Sequence, residues 1–248
     1  MRFLLGIDDT DVLGQRPGTG RLARDLAAHL EGRGLARLFG VVRHQLLVDP
    51  RIPYTSHNSP ACVILEADAP RHAFAQELFD VAAGYVAQRS AQGSDPGICL
   101  GEAPLINQDV AGFGCRASQE VVAKSEAIAL ADKHGLLCAE LGGTGDGVIG
   151  ALAAVGLTAE GNAGRFLELA GGLRSLGESV PAHVLRSREI SLLSVSRNGE
   201  AVPSNALIRT GDWVRPRLIG GRPVLLVEPT AEGWSCFDRK AKHEEAVE

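Results

Sequence analysis

Arg2-Phe3-Leu4-Leu5-Gly6-Ile7-Asp8-Asp9-Thr10-Asp11 is an apolar run that stops abruptly at carboxylates. Residues 2–7 read as a short buried strand, and the Asp-, Gly- and Pro-rich residues after it as a turn. From Thr19 onward Leu22, Leu26 and Leu30 recur at helical spacing with Ala23 and Ala27 beside them, and Gly32 and Gly34 supply a stop. The opening unit is therefore strand, loop and helix. Residues 38–48 and 61–67 are further strand candidates, separated by a polar, Pro-containing loop. Phe74, Leu78, Phe79, Val81, Ala82 and Tyr85 give residues 73–88 the pattern of an amphipathic helix. A turn at 92–97 precedes a short strand, Ile98-Cys99-Leu100. Ser118 is expected to cap a helix running through Val121, Val122, Ile128 and Ala129 to Gly135. Leu141-Gly142-Gly143-Thr144-Gly145-Asp146-Gly147 then leads into a helix of small residues, a glycine density that marks close backbone approach. Beyond Arg186 the texture changes to short strands, at 190–196, 213–218 and 224–228, with Asn198-Gly199 and Gly220-Gly221 as turns.

Composition narrows the function classes. At 248 residues with 45% apolar content the chain can bury a substantial core. The five cysteines, Cys62, Cys99, Cys115, Cys138 and Cys236, are scattered and contain no CxxC pair, so neither a disulfide framework nor a zinc ribbon is indicated, and a cytoplasmic location is expected. The N-terminal apolar stretch is too short for a signal peptide. The run 148–157 is broken by glycine and far short of the ~20 residues that span a bilayer, so no membrane partner is expected. A net charge of −5 argues against an all-over nucleic-acid binder. The charge is uneven, however: residues 186–243 carry ten Lys/Arg against six Asp/Glu, and those before them fifteen against twenty-one. A solvated, arginine-preferring surface accounts for that segment better than a dedicated nucleic-acid patch does.

Three features could carry chemistry. Asp8, Asp9 and Asp11 place three carboxylates within four residues at a strand exit, where they repel one another unless a cation intervenes. Magnesium, commonly held by one or two carboxylates plus substrate phosphates, suits such a turn. Local capping by the same aspartates is the alternative, and spacing leaves both open. Thr19, in Pro17-Gly18-Thr19-Gly20, precedes the first helix, where its hydroxyl could cap, hold phosphate or accept phosphate. The loop 142–147 lacks the Lys-Ser/Thr of a Walker motif and the context of a dinucleotide fingerprint, yet its successive N–H groups could hold phosphate, or simply let a helix pack tightly. His44, His57 and His183 show no metal-ligand spacing.

Gly6-Ile7-Asp8-Asp9-Thr10-Asp11 resembles the signature turn of the archaeal tRNA agmatinylcytidine synthetase family. Residues 50–58, Asp95-Pro96-Gly97-Ile98 and Gly147-Val148-Ile149-Gly150-Ala151-Leu152-Ala153-Ala154 resemble three further family segments in the same order. The resemblance implies ATP-dependent phosphorylation of a cytosine carbonyl, displacement of that phosphate by agmatine, and self-phosphorylation of a loop threonine best matched here by Thr19. It places magnesium on Asp8, Asp9 and Asp11, makes Asp8, Asp9 and Thr19 the catalytic group, and puts the nucleotide against Thr10, Gly18, Gly20, Gly142, Gly143, Thr144, Gly145, Asp146 and Gly147. The chain departs from the family in the loop after Asp11, which is one residue longer, carries Val12-Leu13, and has Gly18 and Gly20 in place of Cys and Thr. It also has no counterpart of the family's RNA-binding barrel and zinc ribbon.

The expectation is thus an α/β (α+β) protein. Residues 1–186 form a kinase-like domain with a ferredoxin-like insertion within 37–115, and residues 187–248 a β-rich module with a disordered acidic tail. Its expected activity is ATP- and magnesium-dependent phosphoryl transfer that activates a carbonyl or hydroxyl of a small acceptor for amine attack. A tRNA-modifying enzyme working with a separate RNA-binding partner and a non-catalytic ATP sensor are the alternatives. A homodimer is compatible with all three.

Overall fold

The computed structural model describes residues 1–14, 17–53, 57–68, 73–196 and 198–237. The expected disordered tail lies outside the described residues, as do Tyr54, Thr55 and Ser56 of the loop at 50–58.

The opening run forms β1 (Arg2–Asp8), buried at five consecutive positions. Antiparallel neighbours flank it on both sides, β3 (Ala61–Glu66) and β4 (Gly97–Glu102), with Gly6 opposite Cys62 on one and Cys99 on the other. A strand covered on both faces reads as a continuous apolar run. Period-2 alternation then divides its side chains. Phe3, Leu5 and Ile7 join one core cluster with α1 (Thr19–Gly32) and α2 (Phe74–Arg89). Leu4 joins a second cluster with α3 (Gln108–Ala117), α4 (Lys124–Lys133) and α5 (Gly147–Glu160). Gly6 and Asp8, in phase with Leu4, face the α5 side.

One mixed sheet of 12 strands carries both layers. From β4 it continues to β5 (Leu137–Glu140), and from β3 through β2 (Arg37–Arg43) to β6 (Arg165–Leu169). Beyond β6 lie β10 (Arg217–Ile219), β11 (Arg222–Thr230), β12 (Gly233–Cys236), β9 (Leu207–Arg209) and β7 (Ser179–Pro181), while β8 (Ser191–Ser194) pairs in parallel with β11. A short helix, α6 (Ala182–Ser187), follows β7, so strands from both sides of Arg186 share the sheet. No helix among the described residues is long and apolar enough to cross a membrane.

Local chemistry explains two departures from the sequence reading. The strand expected at 38–48 ends at Arg43, because the next side chain, His44, turns inward to bond Thr158 of α5 at 2.8 Å and the Gln45 amide bonds the Asn58 carbonyl. Ser118 closes a helix instead of opening one. The helix that it closes is α3, started by Asn107, whose side chain accepts from the Asp109 and Val110 amides at 3.0 and 3.4 Å. Ser118 Oγ donates back to the Cys115 carbonyl at 2.6 Å.

Helix α5 is buried almost all round, as its uniformly apolar sequence requires. It lies directly on β1 and β4, and glycines make that approach possible. A methyl on Gly6 would overlap the Ala151 carbonyl, and one on Gly97 would overlap the backbone of Gly147 and Val148. Gly6→Ala is therefore expected to destabilise the protein by at least ~1–3 kcal/mol. Gly84→Ala, in α2 with nothing within 4 Å of the added methyl, is expected to stabilise by ~0.5–1 kcal/mol. Urea unfolding of the two variants checks the pair, and equal effects would contradict the proposed seat of α5.

Candidate functional site

Where β1 ends, three structural units meet around a cavity of about 520 Å³: the acidic turn, the start of α1 and the start of α5. Asp8, Asp9, Asp11, Gly18, Thr19, Gly20, Asp146 and Gly147 all line it. Of the other sequence-designated residues, Thr10 is buried behind the turn, and Gly142, Gly143, Thr144 and Gly145 lie outside the lining. The glycine loop is tied back away from the cavity. Asp95 accepts from the Thr144 amide, while Lys124 bonds the Thr144 carbonyl and pairs with Glu140 at 3.2 Å and Asp146 at 3.6 Å.

The acidic turn is held under strain and electrostatic load. Asp9 adopts a left-handed backbone with φ 53°, a conformation that costs an L-residue roughly 1–2 kcal/mol and that Asp tolerates better than most. Thr10 anchors the far side: its carbonyl accepts from Ala91 N at 2.9 Å and its hydroxyl bonds the Thr19 hydroxyl at 3.0 Å. Burial pushes the Asp8 carboxyl up to about 7, with Asp9 and Asp11 adding repulsion. Burial likewise raises Asp9 to about 6, reinforced by Asp95, Asp11 and Asp146. The Asp9 carboxylate accepts from the Asp95 amide, which only partly offsets that load. Asp11 differs from its neighbours in having a cation nearby, the guanidinium of Arg43.

Two helix N-termini point into this cavity. The N-cap of α1 is Gly18, which has no side chain to satisfy the first-turn amides, and Thr19 spends its hydroxyl on Thr10. Asp146 makes no side-chain capping bond to α5. In α5 the Gly147, Val148 and Ile149 amides already bond the Asp95, Gly145 and Asp146 carbonyls, so it is the opening of α1, with the positive end of its dipole, that favours an anion. The aspartates beside it offer oxygen only, the donor set of a hard divalent cation. Among the described residues no three His, Cys, Asp or Glu side chains converge tightly enough to hold a metal unaided.

Sequence reasoning missed the cationic part of the lining. Arg21 and Arg24 from α1, Arg43 from β2, Arg174 from the loop after β6 and Trp213 from the loop before β10 also line the cavity. Asp95, which links the acidic turn to the glycine loop, figures in the sequence reading only as part of a turn. That motif is a signal that could have found it, whereas the arginines, scattered from 21 to 174, carry no local signal.

Solved structures resemble much of this architecture. A crystal structure of a tRNA fluorescent labeling enzyme matches with a TM-score of 0.53 and 29% identity, over 63% of this chain and 36% of that one. A complex of TiaS with tRNA and ATP matches with the same TM-score, identity and coverage. A complex of TiaS with tRNA, AMPCPP and agmatine gives 0.52 and 28%, over 62% of this chain and 36% of that one. The chain thus spans little more than a third of the length of these neighbours. In that shared part this chain is similar to TiaS, a tRNA agmatidine synthetase. No protein-family model and no curated protein matches the sequence.

The raised carboxyls carry a signed pH dependence. A carboxyl whose folded pKa lies above its unfolded value binds protons preferentially in the folded state. Its contribution is favourable below about pH 4 and is lost as pH rises through about 6 to 7. Without divalent cations, Asp9→Asn should match the wild type in thermal stability near pH 4 and exceed it by roughly 2–6 °C at pH 8. Melting curves recorded in chelator across that range test this, and a constant offset would contradict it.

Proposed function

We propose that this chain is an ATP- and magnesium-dependent phosphoryl-transfer enzyme that activates a carbonyl or hydroxyl oxygen of a small acceptor, readying it for displacement by an amine. One observation carries the reading: a strained, electrostatically loaded acidic turn and the N-terminus of α1 open on a single cavity. Neither element alone would distinguish a nucleotide site from an acidic surface turn, but together they offer a metal–polyphosphate both a cation-binding edge and anion-binding amides. The TiaS complexes with ATP and AMPCPP add support from outside the chain. The two-part division near residue 186 and the kinase-like and ferredoxin-like descriptions belong to the same proposal.

In this mechanism Asp8 and Asp9 would hold magnesium, with Asp11 beside them. A bound magnesium ion would neutralise phosphate charge as it builds on the leaving oxygen. The amides of Gly18, Thr19 and Gly20 would orient the triphosphate, so that the acceptor oxygen meets the γ-phosphorus in line. The new bond joins the acceptor oxygen to that phosphorus, the bond to the β-phosphate oxygen breaks, and ADP leaves. Asp146, which also lines the cavity, would take the proton from a hydroxyl acceptor. Thr19 lines the cavity with its hydroxyl bonded to Thr10, and it would be the self-phosphorylation site if the chain labels itself.

A tRNA substrate, presented by a separate RNA-binding partner, is the second reading, favoured by the tRNA in the neighbouring complexes and by the arginines that line the cavity.

Asp9→Asn should weaken magnesium-dependent AMPCPP binding at least about 10-fold by calorimetry, and unchanged affinity would remove the aspartate from the site. With radiolabelled ATP and magnesium, the wild type should release phosphate or label itself, and Thr19→Ala should lose the self-label. Tight ATP binding without either product would identify a sensor.

A further inference from the structure

The charges around the cavity fall into two sets. Asp8 and Asp9 interact chiefly with other carboxylates, whereas the charges around Arg24 are a different set: Arg174, Arg21, Glu168 and Asp25. Arg24 is half-buried on the second turn of α1, and burial, followed by the repulsion of Arg174 and Arg21, lowers its pKa. The two nearby carboxylates are already engaged. Asp25 is bound by Arg21 at 2.9 Å, and Glu168 Oε1 accepts from the Leu169 and Leu173 amides at 3.2 and 2.6 Å. Among the described residues no carboxylate forms an ion pair with Arg24 or Arg174.

Arg174 is nevertheless held in place. Its loop is clamped on one side by Glu168 and on the other by Arg188, which bonds the carbonyls of Gly171 and Gly172 and Ser175 Oγ. The Arg174 guanidinium lies 4.7 Å from the centre of the Trp213 ring, and Arg215 lies 4.3 Å from the same ring. A cation–π contact orients a guanidinium without neutralising it, so its planar N–H fork stays available to an oxyanion. Two cations gathered at a cavity wall without carboxylate partners repel one another, and a bound anion relieves that repulsion.

Building on the phosphoryl-transfer reading above, we propose that Arg24 and Arg174, braced by Trp213, form an oxyanion subsite in the wall of the cavity that grips a carboxylate or phosphate of the acceptor substrate. The acceptor is then an anion along that wall, and a cationic amine of the agmatine kind is repelled from it. The same oxyanion chemistry could belong to the nucleotide's own phosphates, so the test separates the two sources.

Trp213 and Trp234 are the two tryptophans of the chain, so Trp234→Phe leaves Trp213 as the fluorescent reporter. Protein saturated with magnesium and AMPCPP is titrated with inorganic phosphate. The expected result is a saturable change in Trp213 fluorescence whose apparent Kd rises about 10-fold or more in Arg174→Gln and in Arg24→Gln, with AMPCPP affinity held within about 2-fold. A phosphate response that AMPCPP abolishes, or an equal loss of AMPCPP affinity in the two variants, would assign these arginines to the nucleotide and overturn the proposal. So would the absence of any response. If AMPCPP fails to bind while the phosphate response persists and depends on Arg174, the nucleotide reading fails and the oxyanion subsite stands.

Discussion

The seating of α5 on β1 and β4 is the contact on which the rest of the architecture depends. A helix normally packs on a sheet through side chains, but here Gly6 and Gly97 on the strands meet the backbone of α5 directly. Gly147 and Gly150 complete the seat from the helix side, against the backbone of Asp95, Gly97 and Asp8 and the Asp8 carboxylate. This proximity brings the start of a fully buried helix against the exit of the central strand. It also buries the Asp8 carboxyl, which then sits near neutrality in its titration instead of deep in the acid range. A larger side chain at any of these glycines would push the helix away and open the cavity.

From that seat the charge distribution follows. The acidic turn lies at the strand exit, strained at Asp9 and anchored by Thr10 to both the Ala91 amide and Thr19. Two helix N-termini and guanidiniums from α1, β2 and the loop after β6 line the same cavity, with Arg43 of β2 near Asp11. Such a site suits a reaction that moves a phosphoryl group from one anionic partner to another. Metal and amides would hold the donor, and arginines would hold the acceptor.

Most of the fold's centre is legible in the sequence, because each element there obeys one simple pattern. β1 is a continuous apolar run, α1 and α2 carry helical periodicity, and α5 is a block of small residues behind a glycine loop. The edges are less legible. α3 begins at Asn107, an N-cap followed by glycines and few strongly apolar residues, and β5 is four half-buried or exposed residues that pattern alone does not identify. The acidic turn is readable because its carboxylates are adjacent in sequence. The arginine wall is not, because Arg24, Arg43, Arg174 and Trp213 meet only through the sheet order that places β2 next to β6 and β6 next to β10. The glycine loop shows how a local motif can overreach: its density promised phosphate contacts along its length, but Asp95 and Lys124 hold its first half outside the cavity, and only Asp146 and Gly147 reach the lining.

The central claim is that the acidic turn recruits a divalent cation to a polyphosphate seated on the N-terminus of α1. Co-crystallisation with AMPCPP and manganese, located by its anomalous signal, tests it most directly. The account predicts a metal peak about 2.1 Å from carboxylate oxygens of Asp8 or Asp9, with the phosphates against the amides of Gly18, Thr19 and Gly20. A metal peak elsewhere, or a nucleotide bound outside this cavity, would contradict it.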